Sequence, residues 1–258
     1  MKILLKNIVV TGILTTAMLA CGAGGPAVTL PTILPPTTPP LVEPVELKSS
    51  PFNEESQSPV YTITAQIPYL DGSTDASVQA FNTTFKNIVD GEVAAFRGGM
   101  AEMPLTPISV GSSLDIQYEL VSQKGSIWSI KFNIMGYADG AAHPYHYSIT
   151  VNYDLANSRE LILDDIFLPN SNYLQVISDY CNVQLSARDI GFADGFTQGA
   201  DPSPENYRNW NISNEGLLIT FDEYQVAAYA VGAQTVVIPF SELGQVINAQ
   251  GPLAPYLP

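Results

Sequence analysis

Hydrophobic and polar residues alternate along three consecutive stretches in the middle of the chain. Leu114, Ile116, Tyr118 and Leu120 alternate with Asp115, Gln117 and Glu119; Trp128, Ile130, Phe132 and Ile134 are spaced by Lys131 and Asn133; Tyr145, Tyr147, Ile149, Val151 and Tyr153 repeat the same period. A period of two places every second side chain on one face of a sheet. Lys124-Gly125 and Asp139-Gly140 supply turns between the runs. The pattern predicts a meander of three antiparallel strands with one dry and one wet face.

Two other periods flank the meander. Val60 to Ile67 reads as a strand closed by Asp71-Gly72. Val78, Phe81, Phe85, Ile88 and Val89 then recur at three- and four-residue steps, the mark of an amphipathic helix. Ser73 or Thr74 can cap that helix and Gly98-Gly99 can end it. Downstream, Leu161 to Leu163 suggests a short strand and Asp164-Asp165 a turn or cap. Tyr173, Leu174, Ile177, Cys181 and Leu185 predict a second helix, and Gly191 to Glu205 a polar loop. Leu217 to Phe221 and Thr235 to Phe240 read as buried strands, and Ser241 as the cap of a last helix ending near Gly251. The expected fold is α+β: an antiparallel sheet, made of the three-strand meander plus C-terminal strands, packed by two or three helices.

The N-terminal residues follow neither period. Lys2 and Lys6 precede an apolar run from Ile8 to Ala20, interrupted by Thr11, Gly12, Thr15 and Thr16. That run is short of the ~20 apolar residues of a membrane-spanning helix and reads as an export signal. Met18-Leu19-Ala20-Cys21-Gly22 resembles the bacterial lipobox, with Met18 where the pattern usually has Leu. The resemblance implies that Cys21 is lipidated and becomes the new N-terminus, which places the protein on the extracytoplasmic side of the cell envelope, anchored by lipid. Residues 22–58 carry Pro26, Pro31, Pro35, Pro36, Pro39, Pro40, Pro44 and Pro51. Proline withholds backbone donors and favours polyproline II. A tether of that kind, at ~3.1 Å per residue, would reach roughly 100 Å. The expected organisation is a signal at 1–21, a tether at 22–58, an N-terminal α/β part at 59–112 and a second part at 113–258, the last two forming one compact unit.

Charge narrows the partners. The chain has 10 Lys and Arg against 25 Asp and Glu. Lys2 and Lys6 belong to the signal, so 8 basic residues face 25 acidic ones afterwards, a net of −17. Such a field repels nucleic acid and anionic lipid and speeds encounter with cations. Nucleic acid is excluded as a partner, since no basic stripe exists. Two cysteines and two histidines leave little material for zinc; no metal and no cofactor are expected. Cys181 reads as a small buried apolar residue.

No residues stand at the spacing of a known catalytic centre, and no catalytic residue is assigned. His143 follows Asp139 in a glycine-containing turn, which locally suits an oriented general base, but no Gly-x-Ser-x-Gly elbow supplies a nucleophile. A histidine bonding its own turn is the plainer reading, and His146 belongs to a sheet face. Asp164 and Asp165, being adjacent, do not face each other on a helix. Phe221, Tyr224 and Tyr229, with Asp222 and Glu223 among them, form either a contact surface or core packing.

From Gly140 onward a resemblance is legible. Gly140-Ala141-Ala142-His143-Pro144, Asn152-Tyr153-Asp154-Leu155, Glu160-Leu161 and Leu163-Asp164-Asp165-Ile166-Phe167 are similar to the extracellular domain of RsiV-type anti-sigma factors. Glu215-Gly216-Leu217, Tyr224-Gln225-Val226, Tyr229-Ala230-Val231-Gly232 and Ile238-Pro239-Phe240-Ser241-Glu242-Leu243 extend it. Tyr61 through Phe96 resembles the N-terminal part found before the same domain in PdaC-type peptidoglycan deacetylases. Ala141 and Ala228 stand where the family usually has Gly and Pro. The resemblance implies an envelope-facing module that binds a cationic protein such as lysozyme. A specific complex also needs an apolar contact core, for which the aromatic cluster and the glycine turn offer His143, Tyr145, Phe221, Tyr224 and Tyr229. A peptidoglycan- or glycan-directed hydrolase and a structural envelope lipoprotein without activity are the alternatives.

The anchor is directly testable. Wild-type protein is expected in the detergent phase on Triton X-114 partitioning, and Cys21→Ser in the aqueous phase; wild type released freely into the medium would overturn the lipid reading.

Overall fold

The computed structural model describes residues 45–102 and 110–257. Its largest element is a six-stranded sheet in spatial order β1 (Glu46–Gln57), β2 (Val60–Asp71), β3 (Ser112–Lys124), β4 (Ile127–Tyr137), β5 (Tyr145–Asp154) and β6 (Arg159–Glu160). All pairs are antiparallel except β2 with β3. Parallel neighbours need a crossover, and α1 (Ala76–Glu102) lies between them in sequence. The predicted meander is β3–β4–β5, and the architecture is the expected α+β.

The dry face of the sheet packs on α1. Val78, Phe81, Phe85, Val89, Val93, Phe96 and Met100 point from the helix onto Ile116, Ile130, Phe132, Ile134 and Val151. Phe81 stacks on Phe85 with ring centroids 4.2 Å apart, and Tyr153 meets Phe81 edge-on at 5.2 Å. The helix runs past Gly98-Gly99, where it was expected to stop. Both glycines are exposed, and burial of Met100 one residue later sustains the last turn.

A second core is built by the C-terminal half. α2 (Tyr173–Ser186) sets Ile177, Cys181 and Leu185 against a three-stranded antiparallel sheet of β7 (Trp210–Ile212), β8 (Gly216–Phe221) and β9 (Gln234–Pro239). Cys181 is a free, buried thiol whose pKa burial pushes up to about 12, so it behaves as the small apolar residue its pattern predicts. No helix among the described residues is long and apolar enough to cross a membrane.

Three further expectations are corrected. The tether does not extend to 58: Glu46–Gln57 is a strand paired along its whole length with β2. It escaped the pattern because no residue of β1 is fully buried. Pro51 is tolerated because β1 is the outermost strand. The short strand near 161 is Arg159–Glu160, slightly earlier. The last helix does not form. After Ser241 the chain makes successive turns, and its backbone pairs instead with the segment before α2: Leu168 N–H donates to Val246 O at 2.8 Å and Asn248 N–H to Ile166 O at 3.0 Å. The described α-helices are therefore two. The export signal, Cys21 and residues 22–44 lie outside the described residues.

The two cores are joined by Ile127 of β4, which is buried in the second core, and by a polar seam. β7 lies across the wet face of β4 and β5. Ser129 Oγ donates to Asn152 Oδ1 at 2.7 Å; Ile212 N–H reaches Ser129 Oγ at 3.0 Å and Asn152 Oδ1 at 2.9 Å. Asn152 Nδ2 donates to Trp210 O at 2.9 Å, and Asn211 Nδ2 to Ser129 Oγ at 2.9 Å. Ser129 and Asn211 are fully buried and Asn152 is 2% exposed. Stranding buried partners costs more than the net worth of the bonds made. Asn152→Ala is therefore expected to lower unfolding free energy by about 2–3 kcal/mol in urea denaturation, whereas exposed Asn133→Ala on the same sheet face stays within about 0.5 kcal/mol of wild type.

Candidate functional site

The period-two pattern of β5 sends Tyr145 and Tyr147 to the side of α1 and His146 and Ser148 to the wet face. The strand begins directly after the 138–144 turn, which Ala141 N–H closes onto Ala138 O at 2.9 Å. Gly140 takes a positive φ of 83° there, open to glycine without strain. Tyr145 lies flat across Gly136 of β4: a Cβ at that glycine would stand 2.0 Å from the tyrosine ring. Tyr145 remains 42% exposed above that glycine.

The segment after β8 comes to meet this turn. His143 and Tyr229 lie with ring centroids 3.9 Å apart, and the Tyr229 hydroxyl donates to Pro144 O at 2.9 Å. His143 Nδ1 lies 2.7 Å from the same carbonyl oxygen. Tyr224, 59% exposed and at φ 66°, stands 5.6 Å from Tyr229. Behind them His146 Nδ1 meets Glu223 Oε1 at 2.9 Å. The result is one surface of His143, Tyr224 and Tyr229, with Glu223 at its edge.

Phe221 is not part of that surface. It is fully buried and packs edge-on against Tyr207 at 6.1 Å. As the last residue of β8 it faces the second core, which settles it as packing rather than contact. Tyr145 lies on the α1 side of the strand, 6.1 Å from Tyr147; burial and the nearby Glu92 raise its pKa. The Tyr147 hydroxyl donates to Glu92, and burial together with that bond raises its pKa strongly.

Asp222 ties the two halves of the site together. Its Oδ1 accepts from Ser148 N–H at 3.0 Å and its Oδ2 from Asn209 Nδ2 at 2.8 Å, with Arg208 Nη2 4.0 Å away. Burial pushes the Asp222 carboxyl above the usual range, against the pull of the Ser148 hydrogen bonds, Arg208 and Asn209. Beside it, on the wet face, lies a pocket of about 240 Å³ lined by Asp115, Gln117, Lys131, Asn133, Met135, His146, Ser148 and Asp222. Among the described residues no three of His, Cys, Asp and Glu converge as metal ligands would.

The sequence named His143, Tyr224 and Tyr229, and the structure gathers them. It did not name Lys131, Ser148 or the His146–Glu223 pair. The alternation of β5 put His146 and Ser148 on one face, but nothing local shows that residues 222–223 arrive there. The imidazole paired with a carboxylate is His146, whereas His143 turns its Nδ1 to its own Pro144 carbonyl. Asp165 acts as the turn reading expects, accepting from Ile162 N–H at 2.8 Å and pairing with Arg159.

Solved structures define the class of fold. A member of the DUF3298 family from Bacteroides fragilis NCTC 9343 superposes with a TM-score of 0.64 at 19% identity, covering 83% of this chain and 98% of that one. A DUF3298 family protein from Pseudomonas aeruginosa PAO1 gives 0.57 at 14% identity, covering 80% and 94%. Residues 164–241 match the family model described as protein of unknown function (DUF3298). Among curated proteins, the chain is similar to the peptidoglycan-N-acetylmuramic acid deacetylase PdaC of Bacillus subtilis (strain 168), at 28% identity over 174 residues, 67% of this chain and 37% of that protein. It is also similar to an esterase of Mycobacterium tuberculosis, at 29% over 104 residues, 40% of this chain and 45% of that one. The chain thus spans less than half the length of each. The resemblance to PdaC-type proteins read from the sequence is borne out.

The raised pKa of Asp222 has a sign that can be checked. A carboxyl whose folded pKa exceeds its unfolded value of about 3.9 contributes stability that is full below that pH and is lost as pH rises through the folded pKa. The stability of wild type relative to Asp222→Asn is therefore expected to fall from mildly acidic pH upward and then level off, measured by urea denaturation across that range. A difference that is flat with pH would refute the assignment.

Proposed function

We propose that this protein is a binding module of the bacterial cell envelope, held there through lipid on Cys21, with the surface of His143, Tyr224 and Tyr229 as its recognition site and a cationic protein, lysozyme first, as its partner. The observation that carries the reading is the convergence of residues 143–144 and 223–229 on one partly exposed aromatic patch with Glu223 beside it. Tyrosine supplies large contact area at low entropic cost and is enriched at interfaces. The 25 acidic residues favour encounter with a basic protein. Similarity to a protein named for its action on peptidoglycan supports the envelope, and the RsiV-type sequence resemblance supports lysozyme. Tyr145 would contribute from the neighbouring edge of the strand.

A hydrolytic reading has one observation in its favour beyond the names of the deacetylase and esterase relatives. His146 is oriented by Glu223 and shares a strand face with Ser148 and a pocket with Lys131. An imidazole held by a carboxylate is the usual setting of a general base.

Calorimetry of the soluble domain with lysozyme at low and at physiological salt separates the readings. The Debye length is about 8 Å at physiological ionic strength, so purely diffuse attraction disappears there. Saturable binding that persists, and weakens at least tenfold in Tyr229→Ala, is the expected result. No binding at low salt would sink the lysozyme assignment. Hydrolysis of p-nitrophenyl acetate abolished by His146→Ala would favour the enzyme instead.

A further inference from the structure

We propose that the pocket on the wet face of β3–β5 is a subsite for a single carboxylate-bearing amino sugar, distinct from the aromatic patch that would meet a protein. Lys131 provides the anchor. Its side chain is 13% exposed, and its one ion pair among the described residues is Glu119 Oε1 at 3.5 Å. Glu119 is 54% exposed, so water competes for that pair and it holds the ammonium weakly. An ammonium has three donors, and Lys131 therefore retains capacity toward an anion in the pocket it lines.

The charge around it limits which anion. Asp115 and Asp222 line the same cavity, and Glu223 holds His146 at its edge. Any anion there meets the same carboxylates, and a phosphate dianion is repelled by them about twice as strongly as a single carboxylate; a monoanion bearing neutral hydroxyls can still pair with Lys131 and use the acceptors for its hydroxyls. Those acceptors are available. Gln117 spends its Nε2 on Asp115 Oδ2 at 3.1 Å, leaving its carbonyl oxygen open. Asn133, directly across from Gln117 in the β3–β4 register, makes no side-chain hydrogen bond among the described residues. Its amide offers a donor and an acceptor together, the complement of a hydroxyl or an acetamido group.

Size and the apolar wall select the rest. About 240 Å³ lies below the roughly 300–1,000 Å³ of drug-sized sites, which suits one sugar ring with small substituents rather than an oligosaccharide. Met135, 43% exposed, and Ala233 form an apolar side that a ring's C–H face or an acetyl methyl can cover. The ligand class is therefore a pyranose with one carboxylate, free hydroxyls and an acetamido group.

N-acetylmuramic acid and N-acetylglucosamine, which differ by the carboxylate arm, test this on the folded domain by amide chemical-shift titration. Saturable shifts at Gln117, Asn133 and His146, with the acidic sugar bound at least tenfold more tightly, are expected. Lys131→Met should remove that preference, and Asn133→Ala, at an exposed position, should weaken both sugars without altering the thermal transition. Equal binding of the two sugars would overturn the role of Lys131. No shift at these residues with millimolar sugar would overturn the site. Binding of D-alanyl-D-alanine as tight as that of the acidic sugar would overturn the sugar class. None of these outcomes depends on whether lysozyme binds the aromatic patch.

Discussion

The placement of the C-terminal half depends on a polar seam: the bonds by which Ser129 and Asn152 on the wet face of β4 and β5 receive the backbone of β7. A sheet face carrying serine, asparagine and threonine would ordinarily belong to solvent. Here Ile212 N–H, Trp210 O and Asn211 Nδ2 satisfy those side chains. Ser122 Oγ donates to Ile212 O from the next strand, and Trp210 N–H reaches Thr150 Oγ1 at 3.0 Å. Hydrogen bonds carry direction, which dispersion contacts lack, so this seam fixes where β7 crosses. Once β7 is placed, β8 follows by antiparallel pairing, and its end delivers Asp222, Glu223 and Tyr224 to β5.

That chain of placement explains why the site stands at the N-terminal end of β5. Asp222 accepts the Ser148 N–H, standing in for the carbonyl a neighbouring strand would have offered. β6 covers only Tyr153 and Asp154 of β5, so the strand would otherwise end in open backbone near the turn. The carboxylate closes that position and brings Glu223 within reach of His146. Site and edge protection are the same residues, and burial of Asp222 is the cost of joining them. The direction of its pKa shift records that cost.

The legible and illegible parts of the molecule divide along a physical line. The meander, α1, α2, β8 and β9 were readable because each buries apolar side chains in a core, at a regular period or, in β8, as a continuous run. β1 was not, since its pairing is backbone to backbone and its side chains stay in or near water; proline there suggested a tether when an edge strand tolerates it equally. The turns after Ser241 were missed for a related reason. Leu243, Val246 and Ile247 keep a helical spacing and are buried, but their backbone finds partners in residues 166–168 instead of in a helix of its own. At the site, His143, Tyr224 and Tyr229 were named from residue type and the motifs around them, although His143 and Tyr229 also meet from distant segments. The pair that meets across 77 positions, His146 and Glu223, required the seam to be known first.

A strongly acidic protein needs more than its charge to present one specific surface. Diffuse charge draws cations to the whole molecule and chooses no face. Selection has to come from groups already fixed before a partner arrives, because ordering flexible side chains on contact would consume much of the gain. Tyr229 is fixed by its bond to Pro144 O and by the His143 ring, and His146 by Glu223. Tyr224 is held in the left-handed region of backbone space, where a bulky residue is uncommon. A non-glycine residue persists there only when its surroundings over-determine it. Burial of Phe221, Val226 and Ala227 on either side supplies that constraint, so the core of the C-terminal half holds the aromatic ring out toward solvent.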